Sequence, residues 1–245
     1  MAADPPGKAP TPASDPSAAI EAAAAAAVMT AGPRLAYRAI RTFVLVVAKV
    51  LLRIEVSGQE NVPTSGGFIL APGGHRSILD TPVTSLSGDR ILRYMGAESY
   101  FSAPVLGGFL RAMGGFPVER SMTDRLALRL SEEVLRNGEP LVVFPEGTRQ
   151  EGPIVQPLKE GAAFLACRAE VPIVPVGLGG FQRAMPKGAR YIRPTKTAII
   201  VGQPIYPPTR VDGARVKRST VRSVSEELHE TLQVLFDQAQ IRAGA

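Results

Sequence analysis

Four clusters along the 245-residue chain combine residue types able to do chemistry. The first is Gly73-Gly74-His75-Arg76-Ser77-Ile78-Leu79-Asp80, directly after an apolar run. A histidine and an aspartate five positions apart across a turn can meet. Asp80 accepting the Nδ1 proton would fix the imidazole tautomer and leave Nε2 free to take a proton from a reacting group. A loop histidine satisfied by a backbone group is the competing reading. The second cluster is Gly114-Gly115-Phe116-Pro117-Val118-Glu119-Arg120. Its glycines permit close approach of backbone to ligand, and Arg120 ends an extended run with a planar fork suited to a phosphate or to a surface ion pair. The third, Phe144-Pro145-Glu146-Gly147-Thr148-Arg149, follows Leu141-Val142-Val143 without a break. Charged groups on a Gly-Thr turn at the end of a strand are placed for a ligand. Arg149 can pair with a phosphate, and Glu146 can hold Arg120 or Lys159 or accept from a substrate hydroxyl. Lys159 belongs to the set by charge and position, since Lys159-Glu160-Gly161 opens a helix whose N-terminal amides also favour an anion. The fourth, Val171-Pro172-Ile173-Val174-Pro175-Val176-Gly177-Leu178, places two prolines in an apolar run. That composition points to an edge or irregular strand, walling an apolar groove or belonging to the core.

Composition removes several other chemistries. One cysteine, Cys167, and two histidines, His75 and His229, exclude an internal disulfide, a multi-cysteine metal site and a three-histidine centre. No metal and no redox cofactor is implied. The chain lacks tryptophan and is only 6% aromatic, which is thin for a base-stacking surface. The net charge of +6, with a sequence pI near 9.8, favours anionic partners such as phosphorylated metabolites or acidic membrane surfaces. No G-x-S-x-G elbow occurs, so nothing calls for an acyl-serine.

The elements that must position these clusters read as α/β. Short apolar runs bounded by Gly and Pro at 67–71, 91–97, 141–145, 172–178 and 197–202 are expected strands. Stretches at about 78–86, 102–113, 122–137, 158–169 and 213–241 are expected helices, the last an amphipathic helix with Val221, Val224, Leu228, Leu232 and Leu235 on one face. Alternating strand and helix implies a single domain with a mixed, largely parallel sheet flanked by helices. That domain is assigned to 56–245. Residues 1–32 form an Ala/Pro-rich tail, disordered or partly helical, with five prolines in its first sixteen positions. Residues 33–55 form an amphipathic basic helix. Arg34, Arg38, Arg41, Lys49 and Arg53 cover about a third of its circumference, with no acid between them. Leu35, Phe43, Val44, Val46, Val47, Val50, Leu51 and Ile54 cover most of the rest. Five cations argue against crossing a bilayer and for a helix lying in the interface, apolar side in the lipid. A surface helix packed on the core is the alternative.

Taken in order, the four clusters resemble motifs I to IV of the glycerolipid acyltransferase family, whose bacterial members include the 1-acylglycerol-3-phosphate acyltransferases. Motif I, H-x4-D, matches at His75 and Asp80. Motif II matches at Phe116 and Arg120, motif III, F-P-E-G-T-R, residue for residue at Phe144–Arg149, and motif IV at 171–176. The match spans about 56–205. Gly74 stands where the family often has Asn, Arg76 sets a cation beside the histidine, and motif II reads F-P-V-E-R; these departures leave the chemistry intact and the acceptor open. The resemblance implies transfer of a fatty acyl group from acyl-CoA or acyl-carrier protein to the free hydroxyl of 1-acylglycerol-3-phosphate, giving phosphatidic acid, with His75 as base and Asp80 holding it. It implies that Arg120, Glu146, Gly147, Thr148 and Arg149 bind the phosphate-bearing acceptor, with Lys159 added from its charge. The apolar segment holding Val105, Leu106, Phe109 and Leu110 either lines an acyl-chain pocket or belongs to the core. The glycine-rich backbone near 73–74 or 114–115 is the candidate source of oxyanion donors. The implied location is the cytoplasmic face of the membrane, peripheral or monotopic. The same reaction on another lyso-lipid, amino-lipid or glycolipid is a second reading. A non-catalytic lipid- or nucleic-acid-binding module is a third, opposed by the intact His/Asp pair.

Overall fold

The computed structural model describes residues 31–118, 124–209 and 215–245. The expected tail, up to residue 30, and Arg120 lie outside the described residues. Seven strands form one sheet: β1 (Glu55–Ser57), β2 (Ile69–Gly73), β3 (Arg93–Ala97), β4 (Gly115–Val118), β5 (Leu141–Val142), β6 (Ile173–Gly179) and β7 (Ala198–Val201). Their order is β1-β7-β6-β2-β5-β3-β4. Five neighbouring strands, from β6 to β4, run parallel. Strand β7 turns back antiparallel to β6, and β1 follows β7 in parallel. The carboxyl ends of β2, β4, β5 and β6 therefore share one edge, where ligands of such sheets bind.

Parallel strands buried on both faces need apolar residues of both parities. In β2, Ile69 and Ala71 point into one cluster and Leu70, with Phe68 just before the strand, into the other. The first cluster lies beneath helices α5 (Asp124–Arg136), α6 (Gly161–Ala169) and α8 (Arg218–Ala243). The second lies beneath α1 (Ala31–Leu52), α2 (Asp80–Val83) and α7 (Phe181–Ala184). Helix α8 lays Leu228, Leu232 and Phe236 on the sheet. Each such side chain contributes roughly 1.5–3 kcal/mol when fully buried. Gly177 and Gly179 allow this contact, because a Cβ there would stand 2.2 and 2.1 Å from the Leu235 and Ala239 carbonyl oxygens.

One expectation needs correction and two are refined. The expected helix at 78–86 is the single turn α2 continued by a 3-10 turn, Thr84–Leu86. The helix expected at 102–113 is α4 (Pro104–Ala112), with Pro104 starting it, and a separate turn, α3 (Glu98–Phe101), precedes it. Of the edge or irregular strand that its prolines implied, β6 is the irregular one, interior to the sheet. Ile173 pairs with Ile205 and Val176 with Val201, so three steps on β6 face four on the partner, and Pro175 sits at that bulge. Its residues are buried throughout, which makes motif IV core rather than groove wall.

Helix α1 divides its apolar side chains between two destinations. Tyr37, Ala48 and Leu52 are buried, and Val44, Leu45 and Leu51 pack against the second cluster. Arg41 ties the helix down through the Ser85 and Gly88 carbonyls and Asp89. Leu35, Phe43, Val46 and Val50 form a separate stripe in water, Leu35 at 73% and Phe43 at 66% exposure. The helix is thus both packed on the core and left with an open apolar face. Among the described residues, no helix is long and apolar enough to cross a membrane.

Candidate active site

The turn after β2 carries His75 and leads into α2, whose first residue is Asp80. Its four consecutive amides, Gly74 to Ser77, all donate to two carboxylates. Arg76 N–H and Ser77 N–H each donate to Asp80 Oδ2 at 2.7 Å. The same oxygen stands 2.9 Å from His75 Nδ1. An oxygen accepting three donors holds the imidazole with its proton on Nδ1, which leaves Nε2 as the acceptor. The imidazole stacks on Phe144, ring centroids 4.2 Å apart, and its side chain keeps 13% of its surface open. Asp80 is fully buried, and its other oxygen, Oδ1, has no hydrogen-bond partner among the described residues. Burial pushes the Asp80 carboxyl above the usual range, against the opposing pull of the His75 hydrogen bond and the Ser77 and Arg76 amides.

The amides of Gly74 and His75 donate instead to Glu146 Oε1, at 2.8 and 2.9 Å. Glu146 Oε2 accepts from Arg76 Nη1 at 3.0 Å and from the Gln156 amide at 3.1 Å. With four donors its lone pairs are filled. Glu146 is buried and partnered by Arg76, not by Lys159, so the structure corrects the expectation that it contacts a substrate. The Gly74 amide, committed to Glu146, is likewise not a free oxyanion donor. Gly74 has a left-handed backbone, φ +75°, and a Cβ there would stand 2.2 Å from the Phe236 ring. A left-handed residue explains why Asn or Gly suits this position, and Phe236 of α8 explains why only Gly fits here.

The turn after β5 carries the rest of motif III. Gly147 also has positive φ, +78°, and a Cβ there would meet the Lys159 side chain, 2.7 Å from Cε and 2.9 Å from Nζ. Lys159 thus lies across the turn, its amide donating to the Pro145 carbonyl. Thr148, Arg149 and Lys159 are exposed, and among the described residues no carboxylate pairs with Arg149 or Lys159. The Gln150 amide donates to the His75 carbonyl at 2.8 Å, joining the two turns. The structure therefore brings His75, Asp80, Glu146, Gly147, Thr148, Arg149 and Lys159 together. It leaves Val105, Leu106 and Phe109 on the surface of α4, Val105 at 87% exposure, with Leu110 half-buried. They are not core.

Sequence reasoning named Arg76 and Phe144 within the motifs without giving either a part in this site, and missed Phe236. The signal for Arg76 was chemical: an arginine beside His75 needs a counter-charge, and Glu146 follows the neighbouring strand β5.

Comparison with known proteins adds three findings. The acyltransferase family model matches residues 53–179, about half of the chain. A chloroplastic 1-acyl-sn-glycerol-3-phosphate acyltransferase of Brassica napus is 31% identical over 159 residues, 63% of this chain and 45% of that protein. The 1-acyl-sn-glycerol-3-phosphate acyltransferase of Bacillus subtilis is 26% identical over 185 residues, 74% of this chain and 87% of its own. The chain thus spans less than half the length of the plant relative. The crystal structure of the 1-acyl-sn-glycerophosphate (LPA) acyltransferase of Thermotoga maritima shares the fold, with a TM-score of 0.67 at 24% identity, over 89% of this chain and 88% of that one.

Proposed function

Because the chain belongs to the acyltransferase family, we propose that it moves a fatty acyl group from an acyl thioester to the free hydroxyl of 1-acylglycerol-3-phosphate, giving phosphatidic acid. The observation that carries this reading is the 2.9 Å contact between His75 Nδ1 and the buried Asp80 carboxylate, with the imidazole edge still open. His75 Nε2 takes the acceptor's hydroxyl proton as that oxygen attacks the thioester carbonyl. The C–S bond breaks, the ester C–O bond forms, and the departing thiolate takes the proton back from Nε2. A positioned base of this kind contributes ~10²–10⁴-fold. The acceptor phosphate is assigned to Arg149 and Lys159, whose charges face water without carboxylate partners, with Arg120 completing the set. The donor thioester is either acyl-CoA or acyl-carrier protein, and no cofactor is required.

The same reading places the enzyme on a membrane surface. The exposed stripe Leu35, Phe43, Val46 and Val50 enters the lipid, while Arg34, Arg38 and Lys49 beside it meet anionic headgroups of the cytoplasmic face. Lipid substrates then reach the strand ends laterally.

The test is a mass-spectrometric acyl-transfer assay on the wild type and His75→Ala. It uses long-chain acyl-CoA or acyl-carrier protein as donor and a panel of lyso-lipid acceptors. Phosphatidic acid made by the wild type and lost in the variant is the expected result. His75-dependent product only with another acceptor moves the enzyme to a different lipid. No product with any donor and acceptor overturns the reading.

A further inference from the structure

Building on the acyl-transfer reading above, we infer that Arg76 is a positioning residue for His75, acting through Glu146. Arg76 follows the base directly, yet its guanidinium is buried and all three of its nitrogens donate to carbonyl or carboxylate oxygens. Nη1 donates to Glu146 Oε2 at 3.0 Å and to the His75 carbonyl at 3.3 Å. Nη2 donates to the Ile154 carbonyl at 2.6 Å, and Nε reaches the Gly152 carbonyl at 3.4 Å. The guanidinium lies over the Phe236 ring, 5.3 Å from its centroid. One side chain therefore joins motif I, motif III, the 152–154 segment and α8.

The consequence for the base follows from where Glu146 spends its other oxygen. Oε1 holds the Gly74 and His75 amides and so sets the path of the backbone that carries the imidazole. Arg76 supplies the counter-charge to this buried carboxylate, and its fork fixes the direction in which Glu146 points. The Arg76 amide meanwhile donates to Asp80 Oδ2. Arg76 is thus wired to both carboxylates that define the turn, one through its backbone and one through its side chain. Lysine keeps the charge but cannot serve four acceptors in one plane, so Arg76→Lys is the informative change.

The experiment compares Arg76→Lys, Arg76→Met and the double variant Arg76→Met/Glu146→Gln in the full chain, with long-chain acyl-CoA and lysophosphatidic acid. Arg76→Met is expected to lower kcat about 10²-fold, the scale of a small misplacement of a reacting group, with KM for either substrate within about threefold. Arg76→Lys is expected to lower kcat about tenfold. The double variant should fall no further than Arg76→Met, because both residues act through one contact. Should Arg76→Met not fold, Arg76→Lys carries the same test. Imidazole NMR gives a readout independent of turnover, because the chain has only two histidines. His229, with Nε2 3.2 Å from the Val155 carbonyl, reports on the neighbouring segment. In Arg76→Lys the His75 imidazole signals should shift and broaden. Wild-type kcat in Arg76→Lys, a loss confined to KM, or signals that move for His229 and not for His75 would each overturn the proposal. If the wild type acylates nothing, the function reading falls and the His75 signals alone decide the role of Arg76.

Discussion

After β2, four successive amides, Gly74 to Ser77, are held by Asp80 and Glu146, and of these four residues only His75 keeps open surface. After β5, Thr148, Arg149 and Lys159 stand in water around the left-handed turn at Gly147. Both turns end neighbouring strands of one sheet, yet one is fixed by buried charge and the other is open. The difference teaches how the work is divided. In the proposed reaction the base is assembled in advance, which removes the cost of orienting it at the moment of reaction. The cations proposed to bind the acceptor phosphate are left for the ligand to complete.

The largest effect expected from this division is at the base. His75→Ala should lower turnover by about 10³-fold or more while circular dichroism is unchanged. A fall of less than about tenfold would erase the contrast between the turns. Asp80→Asn comes next, with an expected loss in kcat of about 10²-fold. It also has a stability signature whose sign follows from burial. Asp80 has a raised carboxyl pKa in the folded state. Its contribution to stability is therefore present below the ordinary carboxylate value and lost as pH rises through the raised one. Burial makes the charged form of Asp80 costly, so Asp80→Asn should melt no lower than the wild type at pH 7, and the wild type should gain on it as pH falls. A variant melting well below the wild type at pH 7 would mean that Asp80 serves the fold and not the base.

Arg149→Ala should act on the open turn and so on binding. The expected loss is about tenfold to a hundredfold in kcat/KM, carried by the KM for lysophosphatidic acid, as for a hydrogen bond to a charged group. An equal loss with a phosphate-free acceptor would contradict that role. The smallest effect is expected on α1. Phe43→Ser/Val46→Ser should weaken binding to anionic vesicles about tenfold, since each apolar side chain contributes of order 1 kcal/mol or more to insertion. Vesicle binding unchanged in a sedimentation assay would remove the interfacial role of the stripe and leave α1 a packing helix.

Much of this was legible in the residues. His75 and Asp80 lie five positions apart, so a single turn brings them together whatever the rest of the chain does. The alternation of apolar runs with amphipathic stretches dictated the α/β class, and the strands at 67–71, 91–97 and 172–178 fall within a few residues of β2, β3 and β6. The amphipathic period of α8 likewise matched the face it buries. The same kind of period in α1 did not say which apolar residues would pack and which would stay in water, because periodicity counts residues and not partners. The proline in β6 pointed to an edge or an irregular strand, and only the bulge opposite it shows which, and how an interior strand accommodates it.

By itself, then, the sequence determined the pairing of base and carboxylate, the order of the motifs and the class of fold, all consequences of short-range spacing and periodic burial. The tertiary structure alone decided what Glu146 does. It stands close to Thr148 and Arg149 in the chain and looks like part of the same ligand set, yet three of its four partners lie about seventy residues back, at Gly74, His75 and Arg76. A carboxylate closed off from water goes to the nearest donors that can fill its lone pairs. Which donors those are depends on β2 lying beside β5, a distance that no spacing along the chain encodes.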